Sequence, residues 1–112
     1  MADLTKEQII SHLAHLGKQL EESVNLLKTA EYDYAVKQFK ADATYAANYL
    51  NTIGTVEERK RRAFIQSADE LKAASVAEAH VKYVRVLVRS IETRVEIGRS
   101  YNAALRAEIE LL

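Results

Sequence analysis

The chain contains no proline, and only one of its three glycines, Gly54, stands among other turn-forming residues. Proline is the strongest interior helix breaker, at about 3 kcal/mol, so its absence permits long uninterrupted helices. The clearest punctuation is Asn51-Thr52-Ile53-Gly54-Thr55. On either side of it apolar residues recur in steps of three and four, the mark of amphipathic helices. The pattern predicts an all-α fold in a single domain spanning 1–112: helix 1 over about 4–51, a turn at 52–55, and helix 2 over about 56–110. The two helices fold back on each other as a long helical hairpin.

Helix 1 starts near Asp3 to Thr5, where Thr5 and Gln8 have the spacing of a capping box. Ile9, Leu13, Leu16, Leu20, Val24 and Leu27 form the apolar row, with Ile10 beside it. The row thins after Ala30 and resumes as Tyr34, Phe39 or Ala41, Tyr45 and Tyr49-Leu50. Glu31-Tyr32-Asp33-Tyr34 is a place for a kink, but with neither Gly nor Pro there the helix is read as continuous. Gly17 costs about 1 kcal/mol against Ala inside a helix, and is read as permitting close helix approach. Gly54 suits a left-handed helix terminus. Thr55 with Glu58 makes a second capping box, and Glu57 and Glu58 suit the positive end of the new helix.

Helix 2 is loosely patterned at first, through Val56, Ala63, Phe64, Leu71 and Ala74, and then strict. Ala77, Val84, Ile91, Gly98, Leu105 and Leu112 fall every seven residues, and Val81, Val88, Val95, Asn102 and Ile109 fall four after each. This is a heptad repeat interrupted by Gly98 and Asn102. Gly98 lets a facing helix come close, with Arg94, Arg99 and Arg106 framing the approach, and Asn102 can fix register by hydrogen bonding across the seam. A flanking stripe of Tyr83, Leu87, Ile97 and Tyr101 widens the apolar face beyond what a two-stranded seam needs.

Helices of these lengths would extend roughly 70–80 Å at 1.5 Å per residue. A lone hairpin of that length leaves much apolar surface wet. The expectation is therefore a homodimer, two hairpins forming an antiparallel four-helix bundle or coiled coil. Its oligomer seam is Val81, Val84, Val88, Ile91, Val95, Gly98, Asn102, Leu105 and Ile109. The alternative is a compact three- or four-helix monomer with breaks near residues 31 and 75.

Little in the sequence points to chemistry. The absence of cysteine removes disulfides and thiolate catalysis. There is no glycine-rich phosphate loop, nucleophile elbow or paired-carboxylate pocket, and an enzyme is not expected. His12 and His15 are spaced to share a helix face, but His80 is the only other histidine, so neither metal nor cofactor is expected. Arg59-Lys60-Arg61-Arg62, with Tyr45 and Tyr49 approaching from helix 1, is the one candidate for phosphate or nucleic-acid contact. Glu57 and Glu58 partly neutralise it, and the net charge is zero, so nucleic acid is possible but not favoured. Lys82, Arg85 and Arg89, followed by Glu92, Arg94, Glu96 and Arg99, read as ion pairs flanking the seam. The N-terminus lacks the basic and apolar regions of a signal peptide, and no run reaches the roughly 20 apolar residues of a membrane span. A cytoplasmic setting is the expectation.

Two segments carry a resemblance. Gly54-Thr55-Val56-Glu57-Glu58-Arg59-Lys60 and Ile91-Glu92-Thr93-Arg94-Val95-Glu96-Ile97-Gly98-Arg99-Ser100, running on to Leu105-Arg106-Ala107-Glu108, resemble small all-helical proteins of unassigned function encoded by tailed bacteriophages and prophages. The resemblance spans roughly residues 35–112 and implies a phage origin and the host cytoplasm. It implies no activity. The function expected is that of a non-enzymatic helical interaction protein that binds another macromolecule, an unidentified protein first. A nucleic-acid accessory factor using the tip at 59–62 is the alternative, and a virion structural or assembly component a remote one.

Overall fold

A computed structural model describes residues 5–111. Among them there are three α-helices and no strand: α1 (Lys6–Leu50), α2 (Val56–Gln66) and α3 (Ala68–Glu110). The fold is all-α. Asp3 and Leu4 at the start of helix 1, and Leu112 at the end of the heptads, lie outside the described residues.

α1 runs unbroken through Glu31 to Tyr34. Its first turn carries the reciprocal cap: the Thr5 N–H donates to Gln8 Oε1 at 2.8 Å, and the Gln8 N–H donates to Thr5 Oγ1 at 3.2 Å. Its last turn ends at Leu50 without help from Gly54. Carbonyls left over at a helix end need donors. The Ala47 carbonyl accepts from the Asn51 N–H and the Asn48 carbonyl from Thr52 Oγ1. The Tyr49 carbonyl accepts from the Thr52 N–H and from Nε and Nη2 of Arg59. Gly54 does have a positive φ of 139°, but it lies just before the α2 cap Thr55 and not at the α1 terminus.

The second helix is not continuous from 56 to 110. It divides at Ser67, whose φ and ψ are −102° and 10°. The Ser67 N–H closes α2 on the Ala63 carbonyl, and its carbonyl receives Leu71 at the start of α3. Its hydroxyl is fully buried and accepts from Asn48 Nδ2 at 2.9 Å. Serine competes with the helix through its own hydrogen bonds, which makes it a good place to interrupt one. Breaks near residues 31 and 75 are absent.

The chain forms two compact units, residues 28–83 and residues 1–27 with 84–112. In the second of these, α1 and α3 run antiparallel, with Leu13 against Gly98 and Ser23 beside Leu87 and Ile91. Leu16, Ile91 and Val95 make its core, with Leu20 and Leu87 packed against them. In the 28–83 unit α1 and α3 again run antiparallel, with Tyr34 bonded to Glu78 and Asn48 to Ser67. The interior there is made of small residues: Ala30, Ala41, Ala63, Ala74 and Ala77, with Ser67 and Val81.

Gly98 is a true close contact. A Cβ built there would meet Leu13 Cδ2 at 2.6 Å, whereas a Cβ at Gly17 would meet nothing within 4 Å. The close approach read for Gly17 is therefore absent; the neighbouring helix does not cross there. Gly17→Ala should stabilise by up to about 1 kcal/mol through helix propensity. Gly98→Ala gains the same helix propensity but must displace the tip of the Leu13 side chain, so it should be less stable than Gly17→Ala. Urea titrations of the two variants check this, and a reversed order would refute the packing at Leu13.

Glu78 sits between two partners, accepting from Tyr34 Oη at 3.2 Å and pairing with Lys82 Nζ at 3.1 Å. The Lys82 hydrogen bond, followed by that from Tyr34, lowers the Glu78 pKa. Desolvation of the half-buried Tyr34, followed by its bond to Glu78, raises the tyrosine pKa. A lowered carboxyl pKa contributes stability above its unfolded value, which is lost as pH falls through the folded one. A raised phenol pKa contributes below its unfolded value, which is lost as pH rises through the folded one. Melting temperatures followed against pH should therefore fall on both limbs. Lys82→Ala should flatten the acid limb relative to the wild type, and identical acid limbs would show that the triad contributes nothing.

Candidate interaction surfaces

The row read as an oligomer seam is closed within the chain. Val84, Val88, Ile91, Val95 and Asn102 are buried in their unit, Gly98 and Leu105 are half-buried, and Ile109 is exposed. Val81 is buried in the 28–83 unit. The reason is the facing row on α1: Ile9 and Leu16 are buried, and Leu13 and Leu20 partly so, at the same three-four spacing. Asn102 makes no register-fixing bond through its carbonyl: it is 8 % exposed and Oδ1 has no hydrogen-bond partner.

What lies outside is the surprise for a small helical chain. Phe39 is 76 % exposed and Leu50 74 %, while the interior beside them is alanine. On α1 of the 28–83 unit Tyr32, Val36, Phe39, Ala43, Ala46 and Leu50 are all exposed, recur every three or four residues and include no charge. Phe64 and Ile65 of α2 are exposed as well. Of the two apolar choices weighed for α1, Ala41 is fully buried and Phe39 is outside. The large residue was the natural core choice, but the buried positions of this unit are taken mostly by alanine. On α3 of the other unit, Val86 and Ile97 are likewise exposed.

The basic tip is only partly a free surface. The Arg59 guanidinium lies 4.2 Å from the Tyr49 ring centroid and donates twice to the Tyr49 carbonyl. Both residues are thus engaged with each other in ending α1, and one face of the Tyr49 ring is covered. Lys60, Arg61 and Arg62 are exposed. Tyr45 and Tyr49 are half-buried and line a shallow apolar recess with Ala46, Leu50 and Lys60.

The remaining clusters are simpler. Lys82 pairs with Glu78, and Arg99 with Glu96 at 3.1 Å, as intrahelical ion pairs on exposed ground. His12 and His15 border an open recess with Glu7, Gln8 and Ser11, and no group of three or more metal-ligating side chains occurs among the described residues. A cavity of about 280 Å³ between α1 and α3 is lined by Ile9, His12, Leu13, Arg94, Ile97, Gly98 and Tyr101. Among the described residues no helix is long and apolar enough to cross a membrane.

In comparison with known proteins, no family model, no curated protein and no solved structure matches the chain.

The engagement of Arg59 separates it from its neighbours energetically. Arg59→Ala should cost about 1–2 kcal/mol, the sum of a charged hydrogen bond and an exposed cation–π contact. Arg61→Ala and Arg62→Ala should stay within about 0.5 kcal/mol of the wild type. Equal losses for all three in denaturant titrations would contradict the clamp on α1.

Proposed function

We propose that this protein is a non-enzymatic helical interaction protein, and that the exposed apolar row of α1 in the 28–83 unit is a surface on which another protein docks. One observation carries the reading: Phe39 and Leu50 stand in solvent while the interior beside them is alanine. Scattered surface leucines need no explanation, but a charge-free row of bulky side chains at helical spacing is what an amphipathic partner helix recognises. The chain is 29 % charged, so a row with no charge at all is a selective feature of that face. The resemblance to small phage-encoded helical proteins supports a partner met in the host cytoplasm. Self-association belongs to the same reading, through faces other than the intrachain seam.

The nucleic-acid alternative has less support. Of its six residues, Arg59 and Tyr49 are bound to each other. Lys60, Arg61, Arg62 and Tyr45 remain, beside Glu57 and Glu58.

The test compares wild type with Phe39→Glu and Leu50→Lys. At exposed positions these changes should leave the melting temperature within a few degrees, corresponding to about 0.5 kcal/mol or less. They should abolish capture of protein partners from host lysate. A wild type that captures the same proteins as Phe39→Glu would sink the assignment of this face. A large fall in melting temperature would show the residues to be core.

A further inference from the structure

We propose that α3 carries a second docking face, across Val86 to Tyr101, whose occupant is a second copy of this chain lying antiparallel to it about a two-fold axis beside Thr93. The proposal rests on the reading of charge-free apolar rows as interaction surfaces, and it adds the partner and the geometry.

The face begins with Val86, Ser90, Thr93, Ile97 and Ser100, which fall in steps of four and three and include no charge. All five are exposed, Val86 at 63 % and Ile97 at 64 %. They lie on the opposite side of α3 from much of its buried row of Val84, Val88, Ile91 and Val95. Thr93 behaves as an apolar residue here, because its hydroxyl donates to the Arg89 carbonyl of its own helix at 3.0 Å.

The row is self-complementary in only one direction. With a second copy antiparallel and the axis beside Thr93, Val86 faces Ser100 of the second copy, Ser90 faces its Ile97, and Thr93 faces its counterpart. Large meets small in both unlike pairs, as interdigitating helices require. On one flank Arg89 lies opposite Glu96 of the second copy, and Glu96 opposite its Arg89, so the two-fold axis generates two opposite-charge pairs. On the other flank Leu87, half-buried in its own unit, lies opposite the exposed Tyr101. Arg94 approaches its counterpart near the axis, a like-charge term that weakens the pairing without reversing it. A parallel pairing in register would instead set Ile97 on Ile97, bring Arg89 toward Arg94 of the second copy and leave Glu96 beside its Tyr101, with no opposite-charge pair on either flank. Charge and size both select the antiparallel form. Glu96 is free to change partners at small cost, because its bond to Arg99 is an exposed pair with more than two-thirds of each side chain in solvent.

Charge reversal tests the geometry on the full chain by sedimentation equilibrium. Arg89→Glu places two glutamates against each other on both sides of the axis, and Glu96→Arg places two arginines. Each variant alone should dimerise more weakly than wild type, on the order of tenfold. An equimolar mixture of the two should regain wild-type affinity as a heterodimer, because each chain then carries one sign at both positions. A mixture as weak as the single variants would overturn the antiparallel pairing. A wild type that stays monomeric up to millimolar concentration would overturn the face altogether.

Cysteine cross-linking gives an independent readout, since the chain has no cysteine of its own. Thr93→Cys should form a disulfide dimer on oxidation. Val86→Cys should not cross-link to itself but should do so to Ser100→Cys in a mixture; self-cross-linking of Val86→Cys would refute the arrangement. Phe39→Glu and Leu50→Lys should leave dimerisation unchanged, so failure of the α1 face and failure of this one are read separately.

Discussion

Small side chains at the inner face of the 28–83 unit set how closely its helices approach and which residues are left outside. Alanines at 30, 41, 63, 74 and 77 let three helical segments come together closely, but each buries little apolar area. At roughly 0.8 kcal/mol per buried methylene, an alanine contributes a fraction of what a buried phenylalanine or leucine would. The large apolar residues of the same segments, Phe39 and Leu50 among them, stand in solvent. Interior and surface are therefore two sides of one choice, and the candidate function comes from the large residues left outside the alanine seam.

The short helix α2 depends on directional bonds more than on burial. Ala63 is its one buried residue. Its position is fixed at one end by the Arg59 fork and ring contact on Tyr49, and just past the other by the Asn48 bond to Ser67. A basic cluster that resembles a phosphate site is thus divided in role: Arg59 completes the end of α1, while Lys60, Arg61 and Arg62 face solvent. Neighbouring residues of the same charge do different work because only one of them reaches the carbonyls of a helix end.

Much of this was legible in the sequence. Periodicity and the two capping boxes place α1, its continuity through Tyr34 and the start of α2, because these are local matters. The division at Ser67 was legible too, but in a quieter signal: Ser67-Ala68-Asp69-Glu70 has capping-box spacing with acids in the first turn, and the apolar row across it masks it. What would cover each apolar row was not legible. The heptads of α3 look the same whether they meet α1 or a second chain, and only the facing residues of α1 decide. Phe39 against Ala41 is the sharpest case, since hydrophobicity favours the phenylalanine and geometry the alanine. The candidate surface was partly visible for the same reason: Tyr83, Leu87, Ile97 and Tyr101 stand out as a second stripe, whereas the outer row of α1 is recognised only once the inner one is known.

The topology of the two units has a kinetic side. The 28–83 unit is continuous in sequence, whereas the other is assembled from both flanking stretches. Closing Asn48 on Ser67 spans 19 residues, and closing Tyr34 on Glu78 spans 44. Bringing Leu13 to Gly98 closes a loop about twice as long again, and each doubling costs about 0.6 kcal/mol of chain entropy when closed from the open coil. Once the inner contacts form, that loop is already shortened, so the outer unit inherits most of its closure from the inner one. Order should therefore spread outward from the connection at 51–55, with the chain ends joining last.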